Sequence, residues 1–224
     1  MLSELKSIGS RIVKRGFDIV VSFIGLVVFA PVILAVGILV RINLGKPVIF
    51  KQERPGKDSK IFTLYKFRSM LDVDESKGLI KNEDRLTPFG KKLRATSLDE
   101  LPSLLNVLKG EMSIVGPRPH LVSYLERYDQ DQARRHEVRP GITGLAQVNG
   151  RNQLDWNQRF NLDVEYVDNH NLFLDLKIIL KTIKVAIRKE GITSQGNVVG
   201  SSFNPQCQSI LSQSEISKEG EFDE

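Results

Sequence analysis

Apolar and polar positions divide this chain into blocks of different period. From Leu2 to Arg15, the residues Leu2, Leu5, Ile8 and Ile12 recur at helical spacing, while Lys6, Arg11, Lys14 and Arg15 fall largely elsewhere around the turn. The pattern predicts an amphipathic basic helix suited to a lipid surface, with an ordinary solvated helix as the alternative. From Ile19 to Val40 no side chain is charged. These roughly 22 residues would reach about 33 Å as a helix, enough to cross a hydrocarbon core. The run is too long for a cleavable leader, and no Ala-x-Ala-type site follows it closely. Pro31 in its middle removes a backbone donor and crowds the Val27 carbonyl, so a kink or break is predicted there. Basic residues on both sides (Arg11, Lys14 and Arg15; Arg41, Lys46, Lys51 and Arg54) draw both ends to the cytoplasmic face, which favours re-entry over a straight span. A straight span stays open, because spanning helices tolerate proline. Asp18, at the edge of the run, reads as a snorkelling interfacial acid or as a partner for Arg15 or a neighbouring basic group.

Beyond Pro47 the period changes. Val48-Ile49-Phe50, a turn at Arg54-Pro55-Gly56-Lys57-Asp58, and alternation from Ile61 to Arg68 predict a β-hairpin. Residues 72–85 are charged and aperiodic, hence an exposed loop. Leu101, Leu104, Leu105 and Leu108 supply a helical stripe with Gly110 as its stop. A polar helix is expected over Leu121 to Glu137. The glycines of Arg139 to Asn152 permit tight turns and close backbone approach to a ligand. Trp156, the only Trp, is a core anchor or an interfacial one. Asp175 could open a last helix, with Lys177, Lys181, Lys184 and Arg188 beside an apolar face of Leu176, Ile179, Leu180, Ile183 and Ile187. That helix either binds anionic headgroups or packs on the core with a solvated lysine stripe.

Composition adds a charge argument. The chain has 224 residues, a net charge of +5 and a pI near 9.3. The last 24 residues hold five acids and one Lys, leaving +9 on the first 200. A basic body points to an anionic partner: nucleic acid, anionic lipid or a phosphorylated substrate. The single Cys207 excludes a disulfide framework or a cysteine zinc site within the chain. Neither a dinucleotide fingerprint nor a P-loop is present.

Two stretches carry candidate chemistry. Asp72-Val73-Asp74 has the Asp-x-Asp pattern with which many nucleotide-sugar glycosyltransferases hold a metal, and equally reads as part of a solvated loop. Thr96-Ser97-Leu98-Asp99-Glu100-Leu101-Pro102 places two adjacent acids where a helix begins. With Ser97 as N-cap, Glu100 falls at N3 and completes a capping box. With Pro102 at N1, both acids lie in the approach loop. In a functional reading, Asp99 attacks phosphorus, Glu100 helps bind Mg²⁺, and Arg118, stiffened between Pro117 and Pro119, offers a planar fork to a phosphate.

The run from Arg94 to Pro102, continued by Asn106-Val107-Leu108 and Met112-Ser113-x-Val115-Gly116-Pro117-Arg118-Pro119, resembles the bacterial sugar transferases, the monotopic polyprenyl-phosphate phosphoglycosyl transferases. Lys66-Phe67-Arg68-Ser69-Met70, Arg139 to Gly144 and Leu174-Asp175-Leu176-Lys177 fit the same pattern, which covers roughly Lys14 to Arg188. The resemblance implies transfer of a sugar 1-phosphate from a UDP-sugar to undecaprenyl phosphate, with Asp99 as nucleophile, UMP leaving, and Asp99 and Glu100 at a Mg²⁺ site. Arg118 would hold nucleotide-sugar phosphate, with Arg68 and Arg94 as further substrate-binding candidates from the matched motifs. It also implies a re-entrant helix broken at Pro31, membrane lipid as a partner, no nucleic acid, and a catalytic face on the cytoplasmic side of the bacterial inner membrane. The chain resembles the short, catalytic-core form. Glu83-Asp84-Arg85 stands where members often have Asp-Pro-Arg, so no role is assigned there.

The resulting expectation is an α/β fold, mostly helical with a small β-hairpin or sheet. Residues 1–45 form an amphipathic helix plus a re-entrant membrane helix, 46–194 the catalytic domain, and 195–224 a polar, disordered tail. A metal-dependent glycosyltransferase releasing UDP through Asp72 and Asp74, or a non-enzymatic membrane adaptor, are the alternatives. The transferred sugar, the glycan pathway and the oligomeric state, a homo-oligomer included, are not read from these residues.

Overall fold

The computed structural model of the chain describes residues 2–150, 154–188 and 203. Arg151, Asn152, Cys207 and the 195–224 tail apart from Phe203 lie outside the described residues. The architecture is the expected mostly helical α/β arrangement with two small sheets.

Helix α1 (Leu2–Val28) runs without interruption from the basic stretch into the apolar one, and α2 (Ala30–Leu44) follows after Phe29 at a 63° bend. Pro31 occupies the first turn of α2, where its missing N–H is tolerated, so the break falls where proline chemistry places it. Among the described residues no single helix is long and apolar enough to cross a membrane; the bent pair meets that test only as a pair. Val20, Phe23, Ile24, Val27, Leu34, Ile38 and Ile42 are exposed along it.

The opposite face of α1 is polar and docked. Lys14 Nζ pairs with Asp175 Oδ2 at 2.6 Å and donates to the Val115 carbonyl at 3.2 Å. Arg15 donates to the Val107 and Leu108 carbonyls at 2.6 and 2.8 Å. Asp18 is buried and accepts from Ser113 Oγ and the Ile114 amide, both at 3.0 Å. Lys14 and Arg15 therefore bind protein, not lipid. Asp18 is not a snorkelling acid: backbone and hydroxyl donors hold it, its charge acts favourably on Arg15, and no ion pair within contact distance joins it among the described residues.

Strands β1 (Ile49–Pro55) and β2 (Ile61–Phe67) form the predicted hairpin, antiparallel, with Ile49 opposite Phe67 and Gln52 opposite Leu64. The charged loop after it contains a 3-10 turn at Glu75–Lys77 and the short α3 (Asn82–Arg85), and α4 (Pro88–Ala95) follows, capped by Thr87 Oγ1 accepting from the Gly90 amide. A 3-10 helix over Leu98–Ser103 leads into α5 (Leu104–Lys109), which ends at Gly110 with φ 85°. The buried positions of this unit are Asp99, Pro102, Ser103, Asn106 and Val107; of the leucine stripe, Leu104 packs partly buried against the core while Leu105 is exposed.

Strand β3 (Ser113–Val115) pairs in parallel with β4 (Gly141–Thr143). Between them, no single polar helix forms. The chain breaks into 3-10 turns at Val122–Arg127 and Arg134–Glu137 flanking the short α6 (Gln130–Ala133). The break falls at extended Tyr128 and Asp129, where the Asp129 side chain accepts from the Gln132 amide and starts a new helix. After α7 (Leu145–Asn149), a capping box of Asp155 and Gln158 opens α8 (Trp156–Asn169). The last helix, α9 (Leu172–Arg188), begins before Asp175, with Asn171 Oδ1 accepting from the Leu174 amide.

One core joins Phe62, Leu64, Val107, Met112, Val115, Tyr166 and Ile178; a second joins Val36, Val40, Leu44, Phe67 and Leu93. Helix α9 enters the first through Asp175 and Ile178, while Leu176, Leu180 and Ile183 stay exposed with Phe173 beside Lys177, Lys181 and Lys184. Trp156 is half-buried in a third, aromatic cluster with Tyr124, Phe160 and Phe203, as a core anchor would be. Phe203 thus departs from the disorder expected of the tail: it is fully buried.

Candidate active site

The two acids of the dyad sit in the first turn of the 3-10 helix, in the register that places Ser97 at the N-cap and not in the one that starts at Pro102. Ser97 is left-handed (φ 55°) and its side chain caps nothing, so no capping box forms. Asp99 is 8% exposed, while Glu100 turns toward β2 and the loop after β3. The side chains diverge because successive residues of a three-fold turn point about 120° apart.

The 3-10 helix is positioned by polar ties to β2. Ser103 Oγ donates to the Tyr65 carbonyl at 2.9 Å; Asn106 accepts from the Tyr65 amide at 3.1 Å and donates to the Thr63 carbonyl at 2.7 Å. This register brings Lys66 Nζ to 2.6 Å from Glu100 Oε1. Arg118 Nη2 reaches the same oxygen at 2.9 Å. Arg118 stands on a turn whose backbone is pinned: Gly116 N donates to the Thr143 carbonyl and Gly141 N to the Pro117 carbonyl, each at 2.9 Å. A Cβ on Gly141 would lie 2.1 Å from Gly116 N, so the glycines of the 139–144 motif serve this backbone crossing and not a ligand.

Electrostatics separates the two acids. Burial, then the neighbouring Glu100 charge, raise Asp99 to about 6 against the pull of Lys66, Arg94 and Arg118. Burial acts the same way on Glu100, but Arg118 and Lys66 together outweigh it and hold that carboxyl down at about 2. Glu100 is the fixed anion, and Asp99 the one that a change of environment can protonate or release. Burial also lowers Lys66 from its ordinary value.

Of the cations expected here, Arg118 joins the dyad directly. Arg94 lies within Coulombic reach of Asp99 and Glu100 and is oriented by Nε donating to Ser69 Oγ at 2.8 Å. Arg68 is buried and turned elsewhere, donating to the Lys46 carbonyl and Asp72 Oδ2, each at 2.9 Å; among the described residues no ion pair joins it to the dyad. Asp72 and Asp74 are held by local partners, Arg68 for one, Ser76 and Lys77 for the other. Lys66 was missed by sequence reasoning. Its signal was its place in the Lys66-to-Met70 motif, which was credited to Arg68.

As a donor set, Asp99 and Glu100 offer hard carboxylate oxygens on neighbouring residues whose side chains diverge, and no third Asp, Glu, His or Cys joins them among the described residues. That suits Mg²⁺, which is held by one or two carboxylates and otherwise by water and substrate phosphate.

Comparison with known proteins identifies the family. The family model described as bacterial sugar transferase matches residues 9–189. A sugar transferase of Bacillus subtilis, EpsL, is 52% identical over 193 residues, covering 86% of this chain and 96% of the relative. A UDP-glucose:undecaprenyl-phosphate glucose-1-phosphate transferase of Klebsiella pneumoniae is 45% identical over 185 residues, covering 78% of this chain and 40% of that protein. An undecaprenyl-phosphate galactose phosphotransferase of Salmonella typhimurium is 40% identical over 207 residues, covering 84% and 43%. The chain thus spans nearly all of one relative and less than half of the others. Matched over residues 9–189, the chain belongs to the bacterial sugar transferase family.

Proposed function

We propose that the protein transfers a sugar 1-phosphate from a UDP-sugar to undecaprenyl phosphate through a covalent phospho-Asp99 intermediate. The observation that carries this reading is the asymmetric dyad: a poorly solvated Asp99 beside a Glu100 anchored by two cations. The names of the Klebsiella and Salmonella relatives support the substrate class.

In the first half-reaction an Asp99 carboxylate oxygen attacks the β-phosphorus of the donor. A P–O bond forms, the bond to the bridging oxygen breaks, and UMP leaves with that electron pair. In the second, the phosphate oxygen of undecaprenyl phosphate attacks the same phosphorus and releases Asp99 as carboxylate. Arg118 and Lys66 balance phosphate charge, and the Pro117–Pro119 frame fixes the guanidinium fork. Glu100 and Asp99 would hold Mg²⁺, which would supply neutralisation of phosphate charge when bound. Catalysis rests on alignment and charge stabilisation, as in phosphoryl transfer generally.

The lipid substrate requires a membrane, and the exposed apolar residues of the bent α1–α2 pair support a re-entrant anchor broken near Pro31. The exposed Phe173, Leu176, Leu180 and Ile183 of α9, with Lys177, Lys181 and Lys184, support contact with anionic headgroups on the cytoplasmic side.

A panel of UDP-sugars with undecaprenyl phosphate in detergent tests the reading. Release of UMP and an acid-labile sugar-phosphate adduct on Asp99 by mass spectrometry are the expected results. Release of UDP, or turnover without an adduct, overturns it.

A further inference from the structure

Phe203 lies beyond the residues matched by the family model, yet it is 0% exposed. Its ring meets those of Phe160 at 5.0 Å, Trp156 and Tyr124 at 5.5 Å, and Tyr128, stacked, at 5.8 Å between centroids. Its backbone is held as well. Arg127 Nη1 donates to the Phe203 carbonyl at 2.6 Å, and the Phe203 amide donates to Tyr124 Oη at 3.2 Å. A polar tail needs no such seat for its own sake.

The far side of this cluster faces the loop that carries Arg118. The guanidinium of Arg135 lies 5.6 Å from the Tyr128 ring centre and 5.4 Å from that of Phe160, the two rings that Phe203 backs. Arg135 donates to Tyr128 Oη at 2.9 Å, to Asp163 Oδ2 at 2.6 Å and to the Arg118 carbonyl at 2.6 Å. His120, two residues after Arg118, packs its ring on Trp156 and Phe160, at 5.1 and 6.0 Å. One wall of rings therefore sets both the Arg135 tie to the Arg118 backbone and the seat of His120, and Phe203 fills its back.

We infer that Phe203 is a positioning residue for Arg118, acting through Tyr128, Phe160 and Arg135. This rests on the reading of Arg118 as a phosphate clamp. An emptied ring site collapses only partly. A shift of the wall moves Arg135, and with it the carbonyl of the residue whose Nη2 must meet Glu100 and the donor.

The test is a double-mutant cycle in the full chain, with UDP binding followed by calorimetry in the presence of Mg²⁺, alongside donor KM. Phe203→Ala is expected to weaken UDP binding about tenfold and to raise donor KM in step, with kcat changed less. Phe203→Leu, which keeps the bulk, should restore most of the affinity. In an Arg118→Ala background, Phe203→Ala should add nothing further. A normal affinity in Phe203→Ala, or an equal loss with and without Arg118, overturns the inference and leaves Phe203 an anchor only. If Phe203→Ala does not fold, the cycle is run with Arg127→Ala, which frees the Phe203 carbonyl, against Arg118→Ala, and an equal loss with and without Arg118 overturns the inference equally. Unchanged binding in Arg118→Ala alone would instead remove the phosphate-clamp reading beneath it.

Discussion

Two sets of buried acids in this molecule have opposite surroundings. Asp18 and Asp175, 1% and 0% exposed, are each met by two donors: Ser113 Oγ and the Ile114 amide for the first, Lys14 and Tyr166 Oη for the second. Burial and Asp175 raise the Tyr166 phenol, which stays a neutral donor. Asp99 is nearly as buried, but no side-chain or backbone donor holds its carboxylate among the described residues, and its nearest charged neighbour in sequence is another acid. A satisfied acid welds α1 and α9 to β3. Asp99, held by no protein donor among those residues, keeps an unfavourable charge that the proposed attack on phosphorus would use.

Asp99→Asn should break the comparison most sharply. Removing the nucleophile should lower turnover by about four orders of magnitude. The same change removes a buried charge, so at neutral pH the variant should be more stable, by on the order of 3 kcal/mol from the displaced protonation equilibrium. Assay of UMP release and thermal melting in the same detergent read both. A variant that is inactive and also less stable would place Asp99 with the structural acids.

Lys14→Met is the converse. It leaves Asp175 buried with only Tyr166 as donor, and breaking a buried pair from one side costs about 3–5 kcal/mol. The melting temperature should fall while turnover per folded molecule is retained. Loss of turnover at temperatures where the variant is fully folded would show that α1 docking also sets the site.

Much of this contrast was hidden in the sequence, for definable reasons. The hairpin was legible because alternation from Ile61 to Phe67 has one face to bury, and the break near Pro31 because proline chemistry is local. The dyad and Arg118 were legible through long motifs, which name residues without placing them. Helical periodicity gave α1 a polar face but could not say whether that face meets headgroups or the carboxylate of Asp175, 161 positions away. Lys66 beside Glu100 depends on Ser103 and Asn106 gripping the β2 backbone, a long-range register that no local pattern carries. The left-handed Ser97 defeated the capping box, since a residue in that conformation cannot act as an extended N-cap.

Glu100→Gln probes the fixed member of the active pair. The amide cannot balance Lys66 and Arg118 as the carboxylate does, so two cations are left facing each other. The expected result is a loss of about 100-fold in kcat, with a higher Mg²⁺ requirement. Unchanged activity at limiting Mg²⁺ would reassign Glu100 to holding the fold.

The smallest expected effect is in pH. Asp99 must be ionised to attack, and its carboxyl is raised to about 6, so kcat/KM should decline as pH falls through that value, approaching tenfold per unit below it. Stability should move the other way. Between about pH 6 and pH 4 the folded protein takes up a proton at Asp99 that the unfolded chain does not, and proton uptake on folding stabilises as pH falls. Glu100, held down at about 2, contributes stability that is lost only as pH falls toward that value, so the upper window isolates Asp99. Asp99→Asn should remove this component of the stability slope while leaving the contribution of Glu100 in place. Melting curves of both proteins from pH 7 to pH 4 would check this, and parallel slopes would mean that burial of Asp99 does not govern its protonation.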